Sequence, residues 1–370
     1  MSEAQQSAKT ARLLSLDVFR GITIAGMLLV NNPGSWSHIY APLRHAEWHG
    51  CTPTDLIFPF FLFIVGVAMV MSLSKRLVRG DSQRKLFAQV VRRTLIIFGL
   101  GLLLHGFPYY DLSAIRIPGV LQRIALCYFF AASIVLKTNL KGQITAVVVL
   151  LLVYWALMKL VPVPGYGAGV LEKEGNLAAY IDNALLHGHL WQPTWDPEGL
   201  LSTLPAIATT LLGVLTGQWL QTKRGQYEIV SGLMVTGCLA LALGWLWNAW
   251  LPINKNLWTS SYSVYTAGTA LCFLGVCYYL IDVKGYTGWT KPFVVYGMNA
   301  ITVFVLSGIV GRLLILWKIG ATPAKTWIYQ NLFASWAGPL NGSLIFAMSY
   351  VLFWLGMMWI LYWRRIFIKI

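Results

Sequence analysis

The residues best suited to chemistry crowd into one stretch, Asn31 to Asp55, which reads NNPGSWSHIYAPLRHAEWHGCTPTD. It holds His38, His45 and His49, three of the six histidines in the chain, with Trp36, Trp48 and a carboxylate at Asp55. Imidazole is the one side chain that can act as base or acid near neutral pH without a strongly perturbed environment. Two apolar runs, each long enough to cross a bilayer, flank the stretch. A connector between membrane helices needs only a few polar residues, and this one is long and rich in titratable and aromatic groups, which suits a site. The competing reading is an interfacial loop with an aromatic belt.

The elements that must position these groups are membrane helices. Of the 370 residues, 57% are hydrophobic and only 11% charged, with mean hydropathy +0.63, too apolar for a soluble domain. Apolar runs at about 13–30, 53–73, 94–109, 118–136, 143–162, 201–220, 228–251, 263–281, 293–317 and 342–363 each approach the roughly 20 residues that span the hydrocarbon. The fold expected is therefore all-α, a polytopic membrane protein of about ten transmembrane helices: a polar tail at 1–12, then one transmembrane domain at 13–365 with connectors at 31–52 and 163–200. The first run lacks a small-residue cleavage pattern and reads as a retained helix.

Charge assigns the sides. In this arrangement 18 of the 28 lysines and arginines fall on one face, seven of them between residues 75 and 93. That face is cytoplasmic by the positive-inside rule, as are both termini. The +15 net charge thus reflects short loops between apolar runs and calls for no nucleic acid. His38, His45, His49, His105, His187 and His189 then all sit at the outer side, where a proton-transfer or metal site is favoured over scattered core histidines. No Cys or carboxylate completes a ligand set around His187-Gly-His189, so no metal is expected. The five cysteines, four of them inside apolar runs, imply no disulfide framework.

Ionisable groups inside spans are expensive and face a cavity or a partner. Asp17 and Arg20, three apart on one helix, can pair. Arg123 within the fourth span and Asp55 at the start of the second are read as site residues, and Arg116 joins them. Gly66, Gly99, Gly101, Gly213 and Gly217 read as close-packing positions between helices. The connector before residue 200 ends in HGHLWQPTWDPEGLLS, where Trp195, Asp196 and Glu198 offer the aromatic faces and carboxylates that a carbohydrate needs. The alternative for Asp196 is an ordinary helix cap.

SLDVFRG (15–21), HAEWHG followed by TDLIFPFFLFIVG (45–66), RIPGVLQR (116–123), DPEGLLSTLPAI (196–207) and GMNAI (297–301) together resemble the heparan-alpha-glucosaminide N-acetyltransferase family. The resemblance implies a membrane enzyme that takes acetyl from cytosolic acetyl-CoA and delivers it across the bilayer to the amine of a terminal glucosamine. It places the family's essential histidine on His45, before Ala46 and Trp48, and its active-site asparagine on Asn31. Asp55, Trp48, Arg116, Arg123, Trp195, Asp196, Glu198 and Asn299 are expected as substrate-binding residues beside them, with Asp55 able to fix the His45 tautomer. Against the animal lysosomal enzyme the expectation is a chain without its large luminal N-terminal domain and the accompanying extra helix, and the connector from Asn31 to His45 differs in length and composition. The expectation is a multi-pass protein of the bacterial inner membrane whose acceptor is glucosamine or a glucosamine-terminated oligosaccharide; a homodimer is compatible with it. Two other classes compete. A proton-coupled amino-sugar transporter would also use ten helices, buried charges and outer histidines, but no inverted repeat is evident. A purely structural membrane partner leaves the six histidines without an account.

Overall fold

The computed structural model describes residues 13–368; the expected polar tail, with Lys9 and Arg12, and Lys369 lie outside them. Among the described residues nine helices are long and apolar enough to cross a bilayer, and one bent pair supplies a tenth if counted as a single span. They are α1 (Leu14–Asn31), α2 (Ile57–Val78, extended to Pro53 by a 3-10 turn), α3 (Gln83–Gly106), α4 (Val120–Lys137), α5 (Leu140–Leu160), α7 (Thr203–Leu220), α8 (Gln226–Trp247), α9 (Ser260–Tyr278) and the joined α12–α13 (Ala324–Ile328, Ser335–Trp363). The short α6 (Leu177–Leu186) lies in the longest connector. The chain is an all-α polytopic membrane protein, its sheet among the described residues limited to two hairpins of two-residue strands.

Two expectations about the spans are corrected. The third begins at Gln83 rather than near 94, so the basic stretch from 75 to 93 is a helical hairpin with a turn of only a few residues. Ser82 starts it as an N-cap, its hydroxyl accepting from the Lys85 amide, and the arginines ride on the helix as long side chains at its end. The ninth expected span is broken by 80° at Asn299 into α10 (Lys291–Met298) and α11 (Ala300–Leu316).

Within lipid, burial of apolar surface does not drive helix association, and small residues that let backbones approach take its place. A Cβ at Gly66 would stand 2.0 Å from the Thr210 carbonyl oxygen, and one at Gly213 would stand 2.0 Å from that of Phe63, so α2 and α7 pack backbone to backbone. Gly217 extends the same seam, whereas Gly99 faces open space and makes no such contact. Around this seam α4 and α5 close one side, and α9 with α1 the other.

Candidate active site

Helix α1 delivers the first site residue. It ends where Asn32 leaves helical geometry ahead of Pro33, and the Asn32 amide turns back to donate to the Leu28 carbonyl at 2.9 Å. The Asn31 amide, one residue earlier, is left at the cavity rim. The following connector returns to the bundle at Thr52, where a capping box opens the Pro53–Leu56 turn and buries the Asp55 carboxylate completely.

That carboxylate organises the site. Its Oδ2 accepts from the amides of Ala46 and Thr52 and from the Thr52 hydroxyl, each at 3.0 Å. Its Oδ1 faces His45 Nδ1 at 2.6 Å. With Asp55 accepting, Nδ1 carries the hydrogen and Nε2 keeps its lone pair. His45, 42% exposed on its side chain, therefore presents a fixed base to open space while its other nitrogen is held from behind. Burial, with Asp55 adding to it, pushes the nearby Cys51 thiol up to about 12, so it stays neutral and is no rival nucleophile.

Asn31, His45, Thr54, Glu198 and Lys255 line the polar end of a cavity that opens to solvent. Its remaining wall is apolar, from Ile24 and Met27 on α1, Phe58 and Phe61 on α2, Ile124 on α4 and Ile301 and Phe304 on α11. Ile24 lies seven residues before Asn31, so the apolar part reaches about 10 Å into the bundle at 1.5 Å per residue. The arrangement is a base and an amide at the mouth of a greasy shaft.

Glu198 owes its place to a braced loop. Arg116 grips Asp196 with two hydrogen bonds, from Nε at 2.7 Å and Nη2 at 2.6 Å, and also reaches Glu198 Oε2. Burial alone would pull the Arg116 guanidinium down, but the two carboxylates outweigh it and hold it above its ordinary value. Arg123 lies fully enclosed, donating to the carbonyls of Pro197 at 2.8 Å and Gly199 at 2.9 Å and to the Ser202 hydroxyl. Asp182 of α6 accepts the Leu200 amide at 2.7 Å from the other side.

The structure therefore brings together His45, Asn31 and Glu198 on the cavity wall, with Asp55 behind His45. It does not bring the rest there. Trp48 is buried, donates to the Leu171 carbonyl at 2.8 Å and meets the Trp195 ring edge-on at 5.2 Å, so both tryptophans pack a core under the connector. Asp196 is committed to Arg116 and the Trp191 and Glu198 amides. Asn299 sits at the bend between α10 and α11 and binds the backbone of Ile366 and Ile368. Of the other histidines, His105 and His189 engage the carbonyls of Arg116 and Ile115, and His187 pairs with Asn183.

One charged cavity residue escaped the sequence reading. Lys255 reaches the site because Gly50 bridges to Asn254, with the Gly50 amide on the Ile253 carbonyl at 2.7 Å, docking the 248–259 connector against the first. The available signal was a lysine in a connector on the face poor in positive charge.

The family model described as "Heparan-alpha-glucosaminide N-acetyltransferase, catalytic" matches residues 12–246, which contain every candidate except Lys255 and Asn299. The heparan-alpha-glucosaminide N-acetyltransferase of Homo sapiens is 32% identical, the alignment covering 81% of this chain and 53% of the human protein. That of Mus musculus is 33% identical over 80% of this chain and 53% of its own length. The chain spans about half the length of the curated relatives it matches. With most of its length matched by the catalytic region, and a histidine held by a buried carboxylate at the mouth of its membrane cavity, the chain belongs to the heparan-alpha-glucosaminide N-acetyltransferase family.

Proposed function

We propose that the chain transfers acetyl from cytoplasmic acetyl-CoA to the amine of a glucosamine-type sugar on the opposite side of the membrane. The observation that carries this reading is the 2.6 Å contact between His45 Nδ1 and Asp55, set at the polar mouth of a cavity whose inner wall is apolar. A thioester on a long, largely uncharged arm suits the apolar shaft, and a polar sugar suits the open end. The clustered positive charge at the far end of the bundle supports a cytoplasmic location for that end and for both termini, and so an outer acceptor site. For a chain of this kind we infer the bacterial inner membrane and a periplasmic acceptor.

In the reaction, the acceptor amine attacks the thioester carbonyl carbon and passes its proton to His45 Nε2. Asp55 holds the resulting imidazolium, and the Asn31 amide donates to the oxygen that gains charge. When the C–S bond breaks, the leaving sulfur takes the proton from His45, giving an N-acetyl sugar and free CoA thiol. A neutral amine is already a good nucleophile towards a thioester, so the direct route needs no acetyl-histidine.

Purified protein mixed with acetyl-CoA should release free thiol only when glucosamine is added. His45→Ala should fold, insert and lower that rate by roughly 100-fold or more. Wild-type protein that moves labelled glucosamine into vesicles without consuming acetyl-CoA would point to a transporter instead. Radiolabelled acetyl retained on denatured wild-type protein but not on His45→Ala would replace the direct route by a covalent one.

A further inference from the structure

Lys255 stands between the buried Asp55 carboxylate and the open cavity. Its Nζ lies 3.1 Å from His45 Nδ1 and 3.4 Å from Nε2, on the wall of the cavity, with its side chain only 18% exposed. The nearest carboxylate oxygen, Asp55 Oδ1, is 3.8 Å away and already faces the imidazole at 2.6 Å, while Oδ2 has three donors of its own. Lys255 is therefore close enough to Asp55 for charge compensation but outside hydrogen-bond distance. Nor can it donate to Nδ1, whose hydrogen points at Asp55. At 3.1 and 3.4 Å from the two ring nitrogens its Nζ lies against the face of the imidazole, off the in-plane Nε2 lone pair that an incoming amine must use. Once the amine occupies Nε2, the ammonium protons of Lys255 have only the cavity to address.

A largely buried cation is costly to maintain, and compensating Asp55 at 3.8 Å offsets part of that cost. Burial pulls the Lys255 ammonium below its ordinary value, and Asp55 and Glu198 oppose the pull. The result is a positive charge on the cavity wall beside the His45 ring. An acyl group entering the cavity meets base and cation on the same wall, a pairing that acyl transfer can use.

Resting on the reading above, we propose that Lys255 is a catalytic residue of the transfer, donating to the thioester carbonyl oxygen as it becomes an oxyanion, alongside the Asn31 amide. The carbonyl π bond opens onto oxygen as the C–N bond forms, Lys255 steadies that charge, and the electron pair returns when the C–S bond breaks. Lys255 keeps its proton throughout; the amine proton travels by His45.

The test uses purified full-length protein in detergent or lipid nanodiscs, acetyl-CoA and glucosamine, with thiol release as the readout. Lys255→Met should lower kcat by roughly 100-fold or more while KM for acetyl-CoA changes by less than about threefold, because an oxyanion contact exists only in the transition state. Lys255→Arg should keep at least about a tenth of the wild-type kcat, which a loss of packing would not restore. A folded Lys255→Met protein with wild-type kcat, or one affected only in KM, overturns the proposal. Should methionine prevent folding, Lys255→Gln takes its place, with the same outcomes deciding. Thiol release by wild type together with an unaffected neutral variant rejects Lys255 alone; no release by wild type rejects the acetyl-transfer reading itself.

Discussion

Asp55→Asn separates the orientation of the His45 imidazole from its presence. The wild-type carboxylate takes its four polar partners as an acceptor: His45 at 2.6 Å, the amides of Ala46 and Thr52, and the Thr52 hydroxyl. An asparagine can keep the last three on its carbonyl oxygen, which turns its NH2 towards His45. An NH2 cannot accept from Nδ1–H, so the imidazole must move its hydrogen to Nε2 or rotate away. Either change removes the lone pair from the cavity side. General-base catalysis contributes about 10²–10⁴ in rate, so kcat should fall by that factor, about 2.7–5.5 kcal/mol of barrier. The stability loss should be smaller. One charge-assisted hydrogen bond is worth about 1.5–3 kcal/mol, and Lys255 retains some water contact at 18% exposure. KM for acetyl-CoA should barely change, since Asp55 lies behind His45 and off the cavity wall. Thiol release measured beside a thermal melt separates the two effects. A folded Asp55→Asn protein with kcat within threefold of wild type would refute the fixed-tautomer argument.

Two further outcomes follow from other parts of the molecule. Burial pushes the Asp182 carboxyl from its ordinary 3.8 up to about 7, against the opposing hydrogen bond from the Leu200 amide. Between those values the folded chain holds a proton that the unfolded chain releases, so this contribution is fully present below pH 3.8 and is lost as pH rises to about 7, on the order of 4 kcal/mol in all. Asp182→Asn should flatten the dependence of melting temperature on pH across that window, and an unchanged slope would show that Asp182 is not its source. For sidedness, an impermeant thiol reagent on intact cells should tag a cysteine placed at Glu174, in the long connector, and miss one placed at Ser82; the reverse labelling would invert the topology and the acceptor side with it.

The membrane architecture was legible because hydropathy and charge are both local properties. Its failures were local as well. Arg84, Lys85, Arg92 and Arg93 pulled the apparent start of α3 inward by about a dozen residues, although those side chains belong to the helix end they decorate. The break at Asn299 had no comparable signal, because GMNAI is apolar enough to read straight through an 80° bend. The asparagine is held there by the backbone of Ile366 and Ile368, some 67 and 69 residues away. A partner so distant in sequence leaves no trace in the residues around the bend.

The site shows why a charged residue inside a membrane protein is an ambiguous sign. Arg123 and Lys255 are both costly to bury, yet sequence singled out only the first. What separates them is where their donors point. The two terminal nitrogens of Arg123 reach the Pro197 and Gly199 carbonyls and the Ser202 hydroxyl, so its charge fastens a loop. Arg116 and Asp182 fasten the same loop from two other directions. Together they hold Glu198, which lines the cavity that they do not reach. Among the described residues Lys255 has only the His45 ring within hydrogen-bond distance, and it opens onto the cavity. Charges that brace and charges that react are thus drawn from the same residue types on neighbouring loops, and only the direction of their unpaired donors tells them apart. That direction depends on contacts 210 residues apart for Lys255 and His45, where motif and spacing carry no information.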